Sequence, residues 1–272
     1  VNKIDTVITS DLTSWPFVHT SVEYNKTVKF YGPDNEKLYE RNSRERSFDW
    51  IYHTEDVEYN FNKQGLRMKK DIEHVEEKYI MFSGASFTSG IGIREDRRFS
   101  ELVSSRLGLD FINFSGPLYS IKLQALSFFN FLKTGFILPK ILVLEYPPCT
   151  GQFFYSNGNF LLYSPDKSAD RNQYPNYYSA YKKLSDTDHF VQESIIWQHI
   201  ITTTCLKLGI KLIEVSFWHD DPFVQNQSIS AVNLESNKED INYCFGRDYL
   251  LGNGHPGIGL HKEMSDVIIN LL

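Results

Sequence analysis

The chain has 272 residues and a formal net charge of −6, enough length for one large α/β domain with an extension, and acidic and basic residues alternate along it without a basic patch. That balance excludes a phosphate-backbone or anionic-lipid binder, so no nucleic-acid partner is expected. No apolar run approaches the roughly 18 residues of a membrane span, and the opening VNKIDTVITSDLTSWPF carries no basic-then-apolar signal, so a soluble chain is expected.

Residues 1–75 are polar and rich in Tyr and Asn, with turn signals such as YGPDNEK and NFNKQGLR around short alternating stretches like Val28–Tyr31. They read as a β-rich or irregular N-terminal extension to an α/β domain over 76–272. From Lys78 an apolar strand runs into a glycine-rich turn. The segment DRRFSELVSSRLG then places Phe99, Leu102, Val103 and Leu107 on one helical face, with Gly108 where a C-cap belongs. The unit recurs: LDFINFSG is a short strand, SIKLQALSFFNFLKTG a helix closed by Gly135, and KILVLEY a nearly unbroken strand run. From Cys149 to Lys183 the chain reads as a long irregular loop, aromatic enough for a lid or binding loop. A helix over about Asp186–Leu208, the strand KLIEVSF and a final amphipathic helix with Leu260, Met264, Val267, Ile268 and Leu271 complete the pattern. Continuous apolar strands between helices demand cover on both faces, which predicts a flavodoxin-like three-layer α/β/α sandwich with a parallel sheet near 78–82, 111–113, 140–145 and 211–216.

Residues at strand-to-helix turns of such sheets lie at the carboxyl edge, where ligands bind. FSGASFTSGIGI, Phe82–Ile93, puts Ser86 there. The lysine and hydroxyl of a phosphate-binding P-loop are missing from it. A nucleophilic serine needs a base, and His255 stands out in GHPG before the last helix; His19, His53, His74, His189 and His199 read as solvated or core residues. The six-residue spacing of His255 and His261 fits no zinc pattern. Cys149, Cys205 and Cys244 are too scattered for a metal site and read as reduced thiols. No metal and no cofactor are expected.

GASFTSGIGI resembles the first motif of the SGNH (GDSL-type) hydrolases, and HPGIGLH resembles their last. The lead-in YNFNKQGLRMKKD is similar to a segment that often precedes the first motif in bacterial and phage members. The resemblance implies Ser86 as nucleophile and oxyanion donor through its own N–H, with His255 as general base. The second motif falls on Asn113–Leu118, making Leu118, or Gly116 with a shifted turn, the next oxyanion donor. Ala85 stands where the family has aspartate. The third motif's asparagine is missing from PPCTGQ, where Thr150 or Gln152 is the stand-in. For the triad acid the resemblance points to Asp248 in GRDYLLGNGHPG, with Asn253 as the alternative neutral orienter of His255. The segment WHDDP, Trp218–Pro222, follows a strand at the same edge and reads either as pocket wall or as solvated turn.

The implied function is a serine esterase or deacylase that hydrolyses a small ester or acylated saccharide, such as an O-acetylated sugar, through an acyl-enzyme on Ser86. The alternative is a catalytically weak or inactive SGNH-like domain that serves as a carbohydrate-binding or assembly module. Transfer of the acyl group to another alcohol is a third outcome.

Overall fold

In the computed structural model, described residues are 24–31, 34–46, 48, 50–116, 119–149, 152–156, 159–163, 175–185, 188–218, 220–227, 229–232 and 255–272. Strands β3 (Tyr79–Gly84), β4 (Asp110–Ser115), β5 (Ile141–Tyr146), β8 (Lys211–Ser216) and β9 (Ser230–Ala231) form one sheet in the order β4-β3-β5-β8-β9. Every pairing in it is parallel. With these strands counted in chain order the arrangement is 2-1-3-4-5, the flavodoxin-like order, whose switch point lies between β3 and its two neighbours.

Alternation along each strand divides the core in two. Ile80 and Phe82 of β3 point with Val143, Ile213 and Val215 toward helices α3 (Phe99–Leu107) and α8 (Ile258–Leu271), where Phe99, Val103, Leu260, Met264 and Ile268 meet them. Tyr79 and Met81 point the other way with Leu142 and Leu144, onto α4 (Ile121–Lys133) and α6 (His189–Leu208) through Ala125, Phe128, Phe131, Ile201 and Cys205. Both faces are therefore covered, as the unbroken apolar strand sequences require. Gly108 ends α3 as read, in the left-handed conformation at φ 62°, and the Ser120 hydroxyl caps the start of α4 by accepting from Leu123 N.

Three features differ from the sequence reading. The segment 149–183, expected to be irregular, contains an antiparallel hairpin, β6 (Gln152–Ser156) with β7 (Asn159–Tyr163), and the helix α5 (Pro175–Ser185). Asn-Gly, the dipeptide favoured in two-residue hairpins, separates the two strands in sequence, and that signal was masked by the aromatic composition around it. The helix expected from Asp186 starts at His189, after α5 has ended. The N-terminal region pairs β1 (Lys26–Val28) with β2 (Tyr59–Phe61), and it also holds α1 (Glu36–Glu45), capped by the Asn35 side chain. A short helix, α2 (Ser86–Ser89), follows β3, and another, α7 (Pro222–Asn226), follows β8. Cys149 and Cys205 are buried free thiols, while Cys244 lies outside the described residues.

An aromatic core of Tyr31, Trp50, Tyr52, Val57, Tyr59 and Phe61 forms beneath the N-terminal strands, and Ile91 from the segment after α2 is buried in it. The early residues thus share a core with the turn that follows β3.

Met264 is wholly buried between α8 and the sheet. Met264→Ala should cost about 2–5 kcal/mol in urea unfolding through lost burial and the cavity left behind. A change below about 1 kcal/mol would show that α8 does not close this face of the sheet.

Candidate active site

β3 delivers its last residues to the carboxyl edge of the sheet, beside the exits of β4 and β5. From Tyr79 to Ile93 every residue is buried except Ser86, which is half-buried. The turn can form because residue 84 is glycine: a Cβ there would lie 2.0 Å from Thr88 Oγ1 and 2.6 Å from Glu145 Oε2. That space is shared by the Thr88 side chain and the Glu145 carboxyl, which reaches over from β5. Its Oε2 accepts from Ala85 N at 2.8 Å and from Thr88 Oγ1 at 3.1 Å, while Oε1 is buried with no hydrogen-bond partner among the described residues. The Glu145 backbone carbonyl accepts from Gln124 Nε2 at 3.1 Å, which ties this point of β5 to α4.

The far side of the turn is held by the N-terminal region. Gly90 ends α2 at φ 72°, in the left-handed region that glycine adopts without strain. The fully buried Arg67 guanidinium donates to the carbonyls of Ser89, at 2.9 Å, of Gly90, and of Ile93, at 2.6 Å. Arg67 lies over the Tyr59 ring at 4.1 Å. The Tyr59 hydroxyl donates to Asp34 and accepts from Gly92 N at 2.8 Å. Tyr52 donates to Gly92 O at 3.0 Å, and Arg98 donates to Arg67 O at 2.8 Å. Buried polar groups from two distant parts of the sequence therefore satisfy the backbone of a loop that forms no regular structure.

At the exit of β4, Asn113 Nδ2 donates to Thr88 O at 3.3 Å, and Ser115 Oγ donates to Asn113 Oδ1 at 2.8 Å. Gly116, the alternative to Leu118 as the second backbone donor, directly follows β4, whose Ser115 is in register with Gly84. A Cβ on Gly116 would meet the Tyr119 ring at 2.7 Å. His255 is buried and packs edge-to-face on Phe87, the neighbour of Ser86, with ring centroids 5.1 Å apart. Trp218 stacks on the same Phe87 at 5.4 Å and 14°. Asp221 accepts from Cys149 N at 3.0 Å, joining the exits of β5 and β8. In WHDDP, Trp218 and Asp221 are thus both packed into the edge of the sheet.

Of the residues singled out in the sequence, Ser86 lies on this turn, His255 packs on its Phe87, and Gly116 follows the strand residue in register with Gly84. Leu118, Thr150, Asp248 and Asn253 lie outside the described residues, as does the side chain of Gln152. His261 belongs to the core: its Nδ1 accepts from Phe99 N at 3.2 Å and its ring stacks on Phe99. Burial, with Arg98 and Arg67 nearby, pushes its pKa down to about 3, so it stays neutral.

Sequence reasoning missed Glu145 and Arg67. Glu145 did leave a signal, as the lone charged residue between the apolar Leu144 and Tyr146 of a strand that both faces of the sheet bury. Arg67 left a fainter one: it is the arginine of NKQGLR, in the lead-in that resembles the segment before the first motif, but in a polar region it looks solvated until its partners are known. Burial raises the Glu145 pKa from 4.5 to about 7, against the opposing pull of its hydrogen bonds from Ala85 and Thr88.

Neither a protein-family model nor a curated protein matches the chain by sequence. Among solved structures it is similar to a member of the lipolytic protein G-D-S-L family from Veillonella parvula, at 12% identity over 72% of this chain and 98% of that one, with a TM-score of 0.38. An acetyl xylan esterase from the rumen bacterium Butyrivibrio proteoclasticus aligns at 13% identity over 79% of this chain and 66% of its own, with a TM-score of 0.38. A GDSL-like lipase from Bacteroides thetaiotaomicron aligns at 13% identity over 75% and 91%, with a TM-score of 0.33. Likeness this distant assigns neither activity nor substrate.

The raised Glu145 pKa has a consequence for stability. Between pH 4.5 and about 7 the native state keeps a proton that the unfolded chain has released, so this contribution favours folding on the acid side and is lost as pH rises through about 7. Glu145→Gln holds no such proton. From pH 5 to pH 8 the stability of the variant relative to wild type should rise by up to roughly 3 kcal/mol in urea unfolding. A constant difference across that range would show that Glu145 is not a buried, weakly acidic carboxyl.

Proposed function

We propose that the chain is a serine ester hydrolase of the SGNH type, in which Ser86 is the nucleophile and His255 the general base. The observation that carries this reading is the exposure pattern of the turn: within Tyr79–Ile93 only Ser86 reaches the surface, at the carboxyl edge of a parallel sheet, and the residue beside it packs against His255.

The residues supply the chemistry as follows. Neutral His255 takes the Ser86 proton as Oγ attacks the ester carbonyl, and returns it to the leaving alcohol. The oxyanion accepts from the Ser86 N–H and from a backbone N–H at Gly116 or Leu118, with Thr150 as the side-chain donor in place of the family's asparagine. Asp248 orients His255 and stabilises the imidazolium; if Asp248 does not reach the ring, Asn253 takes that place without the charge. Water, activated by His255, then releases the acid from Ser86. The substrate is a small ester or an acylated saccharide, and the Phe87–Trp218 stack beside Ser86 offers an aromatic wall for it.

Labelling with a serine-reactive fluorophosphonate tests nucleophile and class together. Wild type should be labelled and Ser86→Ala should not, and His255→Ala should slow labelling by 10²-fold or more. A folded wild type that resists both the probe and small activated esters would leave the domain a non-catalytic module.

A further inference from the structure

Two of the atoms that fix the Ser86 turn belong to neither the nucleophile nor its expected partners. Ala85 N and Thr88 Oγ1 flank Ser86 in sequence, and both donate to one oxygen of Glu145. The Glu145 backbone is held at both sides: it is part of the β5 ladder, and its carbonyl accepts from Gln124, which also accepts from Ser83 Oγ at 3.3 Å. The glycine at 84 is the sequence's accommodation of this contact, since any side chain there would occupy the carboxyl's place.

We propose that Glu145 is a positioning residue of the active site: its ionised carboxyl, reaching over from β5, holds the turn so that the Ser86 hydroxyl and N–H face the substrate carbonyl. This role rests on the reading of Ser86 as nucleophile. A carboxylate accepts from N–H and O–H groups about twice as strongly as a neutral acceptor, so the turn is held tightest when Glu145 is charged. Among the described residues, the groups shown to meet the carboxyl are Ala85 N–H and Thr88 Oγ from the turn and Gly84 from β3; Gln124 from α4 meets the backbone carbonyl. None of them is charged, and burial is the largest influence on the Glu145 acidity. Glu145 therefore changes charge near neutral pH, and turnover follows that charge. Ionised Glu145 costs folding stability, which explains why such a group would be selected against unless the site used it.

The experiment measures kcat against pH for a small activated ester, with fluorophosphonate labelling of Ser86 as the reference for the nucleophile. In wild type, turnover on the acid side needs two groups deprotonated, the general base and Glu145, so the limb of log kcat against pH is steeper than unit slope. Glu145→Gln keeps the shape and one acceptor; it should lower kcat about tenfold at pH 8 with KM nearly unchanged, and its acid limb should fall to unit slope. Thr88→Val is a second, near-isosteric variant. Removing a hydrogen bond that favours the charged form, it should move the Glu145 part of the limb to higher pH, a shift that a general loosening of the fold does not produce. A wild type that labels at Ser86 but shows a unit-slope limb, matched in rate and profile by Glu145→Gln, overturns this inference alone. A wild type that does not label at Ser86 overturns the proposed function, and the positioning role falls with it.

Discussion

The hydrogen bond from Ala85 N–H to the buried Glu145 carboxyl joins the end of one central strand to the inside of its neighbour. Much of the geometry at the carboxyl edge follows from it. For the bond to form, residue 84 must lack a side chain and Thr88 must turn its hydroxyl inward, which sets the first turn of α2. Asn113 then meets Thr88 O from β4, so three adjacent strand ends are linked through one four-residue helix. A carboxyl in such a place is an expensive choice. Desolvation disfavours its charge, and one of its oxygens has no partner among the described residues, so the arrangement works against stability near and above neutral pH. Proteins keep costs of this kind chiefly where a site needs them.

A second support acts from the opposite side. Arg67 gives a planar set of donors to three carbonyls of the segment after Ser86, and Ile91 from that segment fills the aromatic core of the N-terminal region. A buried guanidinium is tolerable because its charge is delocalised and spread over several oxygens and the face of Tyr59. The N-terminal residues thus contribute to the rigidity of the turn. Preorganisation of this sort lets a nucleophile and its oxyanion donors act without rearranging during reaction.

The layers of the sheet were legible because their signals are local. The runs at β3 and β5 are almost wholly apolar without alternation, which strands covered on both faces allow, and Gly108 marks the end of α3 at a position where φ is positive. The place of Ser86 on a strand-to-helix turn was legible because small residues crowd it, and that of His255 because a glycine-rich turn precedes the last helix. Other features depend on contacts that sequence order does not reveal. Glu145 reads as an oddity in an apolar run until Gly84, on the neighbouring strand, is seen to make room for it; its bonded partner Ala85 lies 60 residues away in the chain. Arg67 reads as one more surface cation until the loop at 89–93 closes around it. The hairpin at β6 and β7 was hidden for a different reason, since its residues are aromatic on both strand positions and alternation, the usual strand signal, is absent.

The account stands on Ser86 as the group that a rigid, otherwise buried turn presents to the surface. Its most direct test is to quench the protein during turnover of a slowly deacylating activated ester and to map the covalent acyl group by mass spectrometry. The account predicts one acyl group per chain, on the peptide carrying Ser86, accumulating faster than it is hydrolysed. Turnover with no adduct at Ser86, or with the acyl group on another residue, would contradict it.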